Sequence, residues 1–145
     1  MSKDKAIVKN EYGFFEIKNK PSKKALQEYY ANKYYQEGQG SYELSYDETE
    51  VRYFLNKIEQ RHTVIETISN VTIGKMLDVG SGEGFTLKYF DDLGWECMGL
   101  DFSHAGIKQN NPEQEGLLIQ GDIFDNLEKI IENGEKFDLI FLDNV

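Results

Sequence analysis

The spacing of hydrophobic residues changes near residue 71 and divides the chain into two patterns. From that point on, short apolar runs alternate with amphipathic stretches, and glycines mark the returns between them. This alternation is typical of βαβ units, which build an α/β fold around a parallel sheet. It predicts strands at 75–79, 96–100, 117–120 and 137–142, and helices at 84–93, 103–110 and 124–132.

The first 35 residues carry weaker signals. Two β-prone runs, 6–8 and 14–17, flank a turn-forming Asn-Glu-Tyr-Gly sequence and predict a hairpin. Ser22 precedes a helix-forming stretch and is suited to cap its first turn. We expect that helix to run to about Tyr35 and to end before Gly38.

A longer helix is predicted after residue 47. Asp47 and Glu50 stand three residues apart, which is the spacing of a capping box. The apolar residues that follow recur at helical spacing and predict one face that packs against the sheet: Val51, Phe54, Leu55, Ile58, Ile65 and Ile68. We therefore expect a hairpin and helical region over residues 1–70 and a ligand-binding half-domain over residues 71–145.

The net charge of -10, from 26 acidic and 16 basic residues, narrows the range of partners. A field of this sign repels phosphate backbones and anionic lipid, so the sequence predicts neither a nucleic-acid nor a membrane partner. The lysines near the N-terminus could still meet a phosphorylated small molecule. The single cysteine, Cys97, excludes an intramolecular disulfide and a cysteine-based metal cluster. With no apolar run of signal-peptide or membrane-spanning length, we expect a cytoplasmic protein without a metal.

The residues that carry chemistry begin where the first strand of the predicted sheet ends. That strand runs directly into a turn with glycines at positions 80, 82 and 84, and the turn opens a helix. Glycines let the backbone bend sharply and let a ligand approach closely. Unpaired amides at the helix start would face an anion, whereas Asp78 at the strand end would attract a cation. This combination suits a zwitterionic amino-acid tail better than a pyrophosphate.

Spacing distinguishes this turn from the dinucleotide fingerprint Gly-x-Gly-x-x-Gly. Its third glycine, Gly84, comes one position early, and Phe85 takes the place that the fingerprint reserves for glycine. The stretch from Asp78 to Gly84 resembles motif I of the class I S-adenosylmethionine-dependent methyltransferases, Asp-x-Gly-x-Gly-x-Gly. Later strand ends resemble further elements of that family in the same order: Met98-Gly99-Leu100-Asp101, Gln120-Gly121-Asp122-Ile123, and the segment 137–145, which resembles motif IV.

The resemblance implies a Rossmann-like methyltransferase sheet and S-adenosyl-L-methionine as the cofactor. The sheet would be partial, with its strands in the parallel order 3-2-1-4 and helices on both faces. Asp101 would accept hydrogen bonds from both ribose hydroxyls, and Asp122 would accept one from the adenine amino group. The cofactor-binding residues expected from the resemblance are Asp78, Gly80, Ser81, Gly82, Gly84, Asp101, Phe102, Asp122, Ile123, Asn144 and Tyr35.

The first 70 residues resemble, more loosely, the leader of bacterial methyltransferases from surface-polysaccharide and small-metabolite pathways. The resemblance lies in Tyr12-Gly13-Phe14, in Pro21 and in the tyrosine-rich segment 29–36. It implies a helix that covers the cofactor, with Tyr34 or Tyr35 in contact with it, although aromatic residues at this spacing are also typical of a core. The acceptor implied is a small molecule or a sugar.

Catalytic residues stay unassigned at this stage. Methyl transfer to an alcohol needs a general base within hydrogen-bond reach, and only Asp143 and Asn144 are expected near the methyl group. The family's later strands and substrate loops have no counterpart before residue 145, so we expect a truncated chain that alone could be inactive. The strand at 137–142 would then expose an apolar edge, which predicts a homodimer through that edge.

Two other functions stay open. A nicotinamide-dependent oxidoreductase would use the same kind of sheet, but the early third glycine argues against it. A non-catalytic cofactor-binding module fits a half-sheet without a convincing base.

Several polar residues also have simpler interpretations. Asp101 could cap the helix that follows it and Asp122 could be an ordinary turn acid, although ligand binding is preferred for both. The remaining expectations are structural: Asp138 faces solvent or caps the strand entrance, Cys97 is a small core residue, His62 is solvated, and His104 is a free histidine at a helix start.

Overall fold

The computed structural model describes residues 6–30 and 45–143. Its N-terminal elements are β1 (Ile7–Lys9), β2 (Phe15–Ile17), α1 (Lys23–Tyr29) and α2 (Glu48–Ser69). The elements that follow are β3 (Lys75–Val79), α3 (Phe85–Asp92), β4 (Glu96–Asp101), α4 (Ala105–Asn110), a 3₁₀ helix (Pro112–Leu117), β5 (Leu118–Gln120), α5 (Ile123–Glu132) and β6 (Leu139–Leu142).

The four strands of the second region form one parallel sheet in the order β5-β4-β3-β6. This is the order 3-2-1-4 that the family resemblance implies, with helices around the sheet. In the register, Asp78 of β3 pairs with Gly99 of β4 on one side and with Phe141 of β6 on the other. Because all four strands are parallel, their carboxyl ends meet at one edge, where open α/β sheets bind ligands.

The sheet carries a hydrophobic cluster on each face, because successive side chains of a strand point to opposite sides. Met76 belongs to the cluster that includes Phe90 and Trp95, whereas the next residue, Leu77, belongs to the cluster with Leu100. Phe90 is fully buried. Truncating a phenylalanine at such a site costs about 3–5 kcal/mol, so this cluster is a main source of the domain's stability.

Helix α2 begins with the predicted capping box. The Asp47 Oδ1 atom accepts from the amides of Thr49 at 2.7 Å and Glu50 at 2.9 Å, and the Glu50 carboxylate accepts from the Asp47 amide at 2.9 Å. Its apolar face reaches the sheet as expected: Ile58 lies in one cluster with Met76 of β3.

The expectation that His62 is solvated is wrong. His62 stands four residues after Ile58, on the apolar face of the helix, and its side chain is buried. The imidazole ring packs 4.9 Å from the Phe90 ring, and Nδ1 lies 3.2 Å from the Tyr89 hydroxyl. A partly polar ring can occupy a core position when neighbouring aromatic rings pack against it and a hydroxyl pairs with one nitrogen.

The N-terminal hairpin is present with Ile7 opposite Ile17. Its turn is held by Asn10, whose Oδ1 atom accepts from two backbone amides. Ser22 caps α1 as predicted, since its Oγ atom accepts from the Ala25 amide at 3.2 Å. The helix is described as far as Tyr29, and the predicted ligand contacts of Tyr34, Tyr35 and Asn144 lie outside the described residues.

Candidate functional site

The turn after β3 adopts a backbone that favours glycine. Gly80, Gly82 and Gly84 have φ angles of 78°, 53° and 79°, all in the left-handed region. At Gly84 there is also no room for a side chain, because an added Cβ would lie 2.7 Å from the Ile107 Cγ1 atom. This close approach lets α3 start directly behind the turn and brings its first amides to the edge of the sheet.

Strand β4 fixes the turn in place. The amides of Gly80 and Ser81 both donate to the Leu100 carbonyl, at 2.8 and 3.1 Å, and the Gly82 amide donates to Asp101 Oδ2 at 2.9 Å. Ser81 is buried and its hydroxyl donates to the Asp78 carbonyl. These amides therefore hold the turn itself, and the unpaired amides expected at this edge must come from the first turn of α3.

Asp101 joins the glycine turn to the chain that follows β4. Its second carboxylate oxygen, Oδ1, accepts from the Ser103 amide at 3.0 Å, and Ala105 donates to the Ser103 hydroxyl, so α4 begins at Ala105. Burial raises the pKa of the Asp101 carboxyl, and hydrogen bonds from the amides of Gly82, Ser103 and Phe102 oppose that rise. Each carboxylate oxygen can accept a second hydrogen bond, so this local role leaves capacity for ligand hydroxyls.

Three carboxylates meet at the ends of adjacent strands: Asp78 on β3, Asp101 on β4 and Asp143 after β6. Asp78 is 4% exposed. Burial, together with the charges of Asp101 and Asp143, raises the pKa of the Asp78 carboxyl to about 7. Within residues 6–30 and 45–143, no group of three His, Cys, Asp or Glu side chains is arranged to hold a metal ion. A positively charged ligand would relieve the mutual repulsion of these acids.

Helix α2 supplies a residue that the sequence did not single out. Arg61 Nη1 donates to Asp143 Oδ2 at 2.6 Å and ties the middle of α2 to the end of β6. The helical period contains the signal: Arg61 stands three residues after Ile58 and four before Ile65, which places it beside the apolar face.

An aromatic pair lies over the end of β4. The rings of Tyr30 and Phe102 are parallel, with an interplanar angle of 4° and centroids 5.1 Å apart. Phe102 is half-buried and packs against the cluster on this face of the sheet, which also contains Ile123 at the start of α5. The structure thus places two predicted ligand-binding side chains, Phe102 and Ile123, in one apolar wall.

Asp122 caps α5. Its Oδ1 atom accepts from the amides of Phe124 at 3.0 Å and Asp125 at 3.1 Å, as the simpler interpretation of a turn acid proposed. Lys23 of α1 lies 3.6 Å from Asp122 and forms an ion pair with Asp125. Helix α1 is therefore attached at the ends of both β4 and β5.

The segment that forms this edge of the sheet is similar to a family of known proteins. Residues 77–145 match a family model described as "Methyltransferase domain". Residues 77–145, just under half of the chain, are thus similar to the methyltransferase domains that this model describes. Over 116 residues it is 28% identical to a methyltransferase of Methanocaldococcus jannaschii whose name assigns it, provisionally, to the large-subunit ribosomal RNA. The match covers 74% of this chain and 30% of that relative. No solved structure matches the chain.

Other sequence predictions concern residues away from the glycine turn. Asp138 lies at the strand entrance, where its carboxylate accepts from the Lys75 amide at 2.8 Å. Burial raises the pKa of the Cys97 thiol to about 12, which fits the predicted core residue and not a nucleophile. The expectation of a free His104 is wrong, because its Nδ1 atom lies 3.1 Å from the Glu115 carboxylate.

An open groove of about 600 Å³ lies between α2 and β6. Val64 and Ile65 of α2 form one wall, and Leu139 and Ile140 of β6 form the other. The groove reaches Asp143 but not the glycine turn. Among the described helices, none is long and apolar enough to cross a membrane.

Proposed function

We propose that this chain binds S-adenosyl-L-methionine at the carboxyl edge of its sheet and belongs to an enzyme that transfers the methyl group to a small-molecule or sugar acceptor. The observation that carries the proposal is the cluster of three carboxylates, from Asp78, Asp101 and Asp143, at this edge. S-adenosylmethionine supplies an activated methyl group on a positively charged sulfonium, and its tail carries an ammonium. Both positive centres suit an edge that is crowded with acids.

The same carboxylates argue against a nicotinamide dinucleotide. Its pyrophosphate carries two negative charges, and a buried acid with a pKa near 7 already marks a site where negative charge is unfavourable. The glycine turn agrees with this choice, because Gly80, Ser81 and Gly82 donate their amides to β4 instead of presenting them to a phosphate.

The roles of individual residues follow from their places along the edge. Asp101 accepts from the ribose hydroxyls through the lone pairs that Gly82 and Ser103 do not use. Phe102 and Ile123 form the apolar wall for the adenine ring, and Asp122 accepts from its amino group. The tail lies along Gly80, Ser81, Gly82 and Gly84 beside Asp78, and the proposal keeps Tyr35 and Asn144 as further contacts.

The acceptor is the least constrained part of the proposal. A net charge of -10 opposes binding of a polyanion, which favours a small molecule or a sugar over ribosomal RNA. The relative named for ribosomal RNA is much longer, since this chain spans only 30% of its length, and RNA recognition there can reside in other segments. Transfer of a labelled methyl group to purified ribosomal RNA, but not to a pool of small metabolites, would reverse this choice.

The proposal includes action in the cytoplasm, a cofactor-binding part over residues 71–145 and a covering part over residues 1–70. The proposal also includes a homodimer.

The outer edge of β6 is the proposed dimer interface. Among the described strands, β6 pairs only with β3, and its Ile140 and Leu142 side chains are 53% and 68% exposed. Light scattering of the purified chain should give a dimer that Ile140→Lys converts to a monomer. A wild-type monomer at high concentration would remove this part of the proposal.

Calorimetric titration of S-adenosylhomocysteine tests the cofactor directly. We expect binding to the wild-type chain and a loss of at least tenfold in Asp101→Asn, because the amide replaces an acceptor oxygen of the ribose site with a donor. Asp92→Asn is the matched control, since Asp92 is an exposed acid on α3 that pairs only with Lys88 in the structure's described ion pairs.

The two competing functions have distinct outcomes in the same experiment. Binding of NAD without binding of S-adenosylhomocysteine would select the oxidoreductase. Binding of S-adenosylhomocysteine without methyl transfer to any acceptor would select the non-catalytic module.

A further inference from the structure

The ion pair between Arg61 and Asp143 joins α2 to the functional edge of the sheet. Arg61 Nη1 lies 2.6 Å from Asp143 Oδ2, and both side chains are partly buried. Arg61 precedes the segment 77–145 that matches the methyltransferase family, so neither the match nor the glycine motif gives it a role.

The register of the sheet places this ion pair next to Asp78. Phe141 of β6 lies opposite Asp78, and Leu142 lies opposite Val79. Asp143 therefore follows the last paired residue of β6, alongside the point where β3 enters the glycine turn at Gly80. The charge of Asp143 acts on Asp78 across this short gap.

We propose that Arg61 is a positioning residue of the cofactor site: it holds the Asp143 carboxylate at the end of β6 and offsets its negative charge beside Asp78. This role rests on the proposed function, because a balanced charge at this edge matters only if a charged ligand binds there. With this role, α2 contributes a functional residue to the cofactor site although it lies outside the segment that matches the family.

The groups that face Asp78 come from three elements. Asp101 approaches from β4, Asp143 approaches from the end of β6, and the Ser81 hydroxyl approaches from the glycine turn. The charge of Asp78 also contributes to the raised pKa of the Cys97 thiol on β4. Burial and the two acids raise the pKa of Asp78 to about 7, so at neutral pH its protonation responds to small changes in the charge around it.

An NMR titration that follows the side-chain carboxyl carbon of Asp78 tests this role without any ligand. In Arg61→Gln the Asp143 charge is no longer offset, so the Asp78 midpoint should rise from about 7 by roughly half a pH unit. Arg61→Lys should stay close to the wild type. Lys57→Gln is the matched control, because it removes a positive charge one turn away on α2, where Lys57 lies over the Tyr53 ring.

A double-mutant cycle shows whether Arg61 acts through Asp143. Asp143→Asn should lower the Asp78 midpoint, and adding Arg61→Gln to it should raise the midpoint by clearly less than in the wild type, because Asp143 no longer holds the guanidinium at this edge. An unchanged midpoint in folded Arg61→Gln would overturn the role, and so would an Arg61 effect of the same size without Asp143. If Arg61→Gln does not fold, an unchanged midpoint in Asp143→Asn overturns it equally well.

Calorimetry then connects this electrostatic role with binding. In Arg61→Gln, the pH range over which S-adenosylhomocysteine binding strengthens should move upward by the same amount as the Asp78 midpoint. A wild-type chain that does not bind S-adenosylhomocysteine would refute the proposed function, whereas the NMR titration would still decide whether Arg61 controls the charge of Asp143 and Asp78.

Discussion

The rings of Tyr30 and Phe102 lie face to face, with centroids 5.1 Å apart and planes within 4° of parallel. A third ring stacked between them would need a separation of about 7 Å, which is two van der Waals contacts. Phe102 directly follows Asp101, the proposed ribose acid, so Tyr30 covers the wall that an adenine ring would use. Because Lys23 anchors the other end of α1 at Asp122 and Asp125, the helix spans this part of the edge.

Removing the Tyr30 ring should therefore strengthen cofactor binding. An aromatic stack contributes about 0.5–1.5 kcal/mol, so Tyr30→Ala should bind S-adenosylhomocysteine roughly two- to tenfold more tightly by calorimetry. Tyr12→Ala serves as the control, since Tyr12 is 80% exposed on the hairpin and should leave the affinity unchanged. Weaker binding by Tyr30→Ala would mean that Tyr30 contacts the ligand instead of competing with it.

Asp78 should make the folded chain less stable as the pH rises. The pKa of an aspartate carboxyl in water is 3.8, whereas that of Asp78 in the fold is about 7. Between these two values the folded state keeps a proton that the unfolded state releases. Stability attributable to Asp78 is therefore highest below pH 4 and falls by an amount on the order of 4 kcal/mol by about pH 7.

Urea unfolding of the wild type and of Asp78→Asn measures this contribution. The difference in unfolding free energy between the two should move in favour of the variant as the pH rises from 4 to 8, because all other titrating groups are shared. A difference that does not change with pH would show that Asp78 titrates near its ordinary range.

Asp78 should also make cofactor binding depend on pH, but in the opposite direction: stability falls as the pH rises, whereas affinity increases. The ammonium of the ligand's amino-acid tail favours ionised Asp78, so affinity for S-adenosylhomocysteine should rise with pH and level off above about 7, with a slope of up to about tenfold per pH unit below it. Calorimetry in buffers of different ionisation enthalpy should detect proton release near pH 6. Asp78→Asn should bind more weakly and without this pH dependence.

Gly84 should be the least replaceable glycine of the turn. Alanine there combines a left-handed φ of 79° with an overlap against the buried Ile107 side chain, which together should cost roughly 2 kcal/mol or more. Gly116→Ala is the control, because an added Cβ there meets nothing within 4 Å. The urea midpoint should fall clearly in Gly84→Ala and stay within experimental error of the wild type in Gly116→Ala.

Local patterns predicted the parts of the fold that depend on neighbouring residues. The capping box at Asp47, the strand Lys75–Val79 and the glycine turn all follow from spacing over a few positions. Element ends differ more from the prediction: Leu117 closes the 3₁₀ helix instead of opening β5, and β6 begins at Leu139, just after Asp138. The start of β6 depends on its pairing with β3, which is distant in the sequence.

His62 shows where a local pattern misleads. Polar neighbours suggested a solvated side chain, yet the helical period carries it onto the face that packs against Tyr89 and Phe90. His104 differs from its prediction for a similar reason, because Glu115 comes close only after the chain has folded back. In both cases the partner is distant in the sequence, and composition alone does not reveal it.

The sequence by itself determined the strands, the glycine turn and the acids at the strand ends, because periodicity and strand-end position are properties of the chain as written, and the expected sheet order followed from the resemblance to a family. Only the tertiary structure decided the burial, the neighbours and the protonation of those acids. It brought Asp78, Asp101 and Asp143 together, set Arg61 against Asp143 and laid Tyr30 on Phe102. The physical reason is that burial, charge coupling and ring stacking depend on distances in space between residues that stand tens of positions apart in the chain.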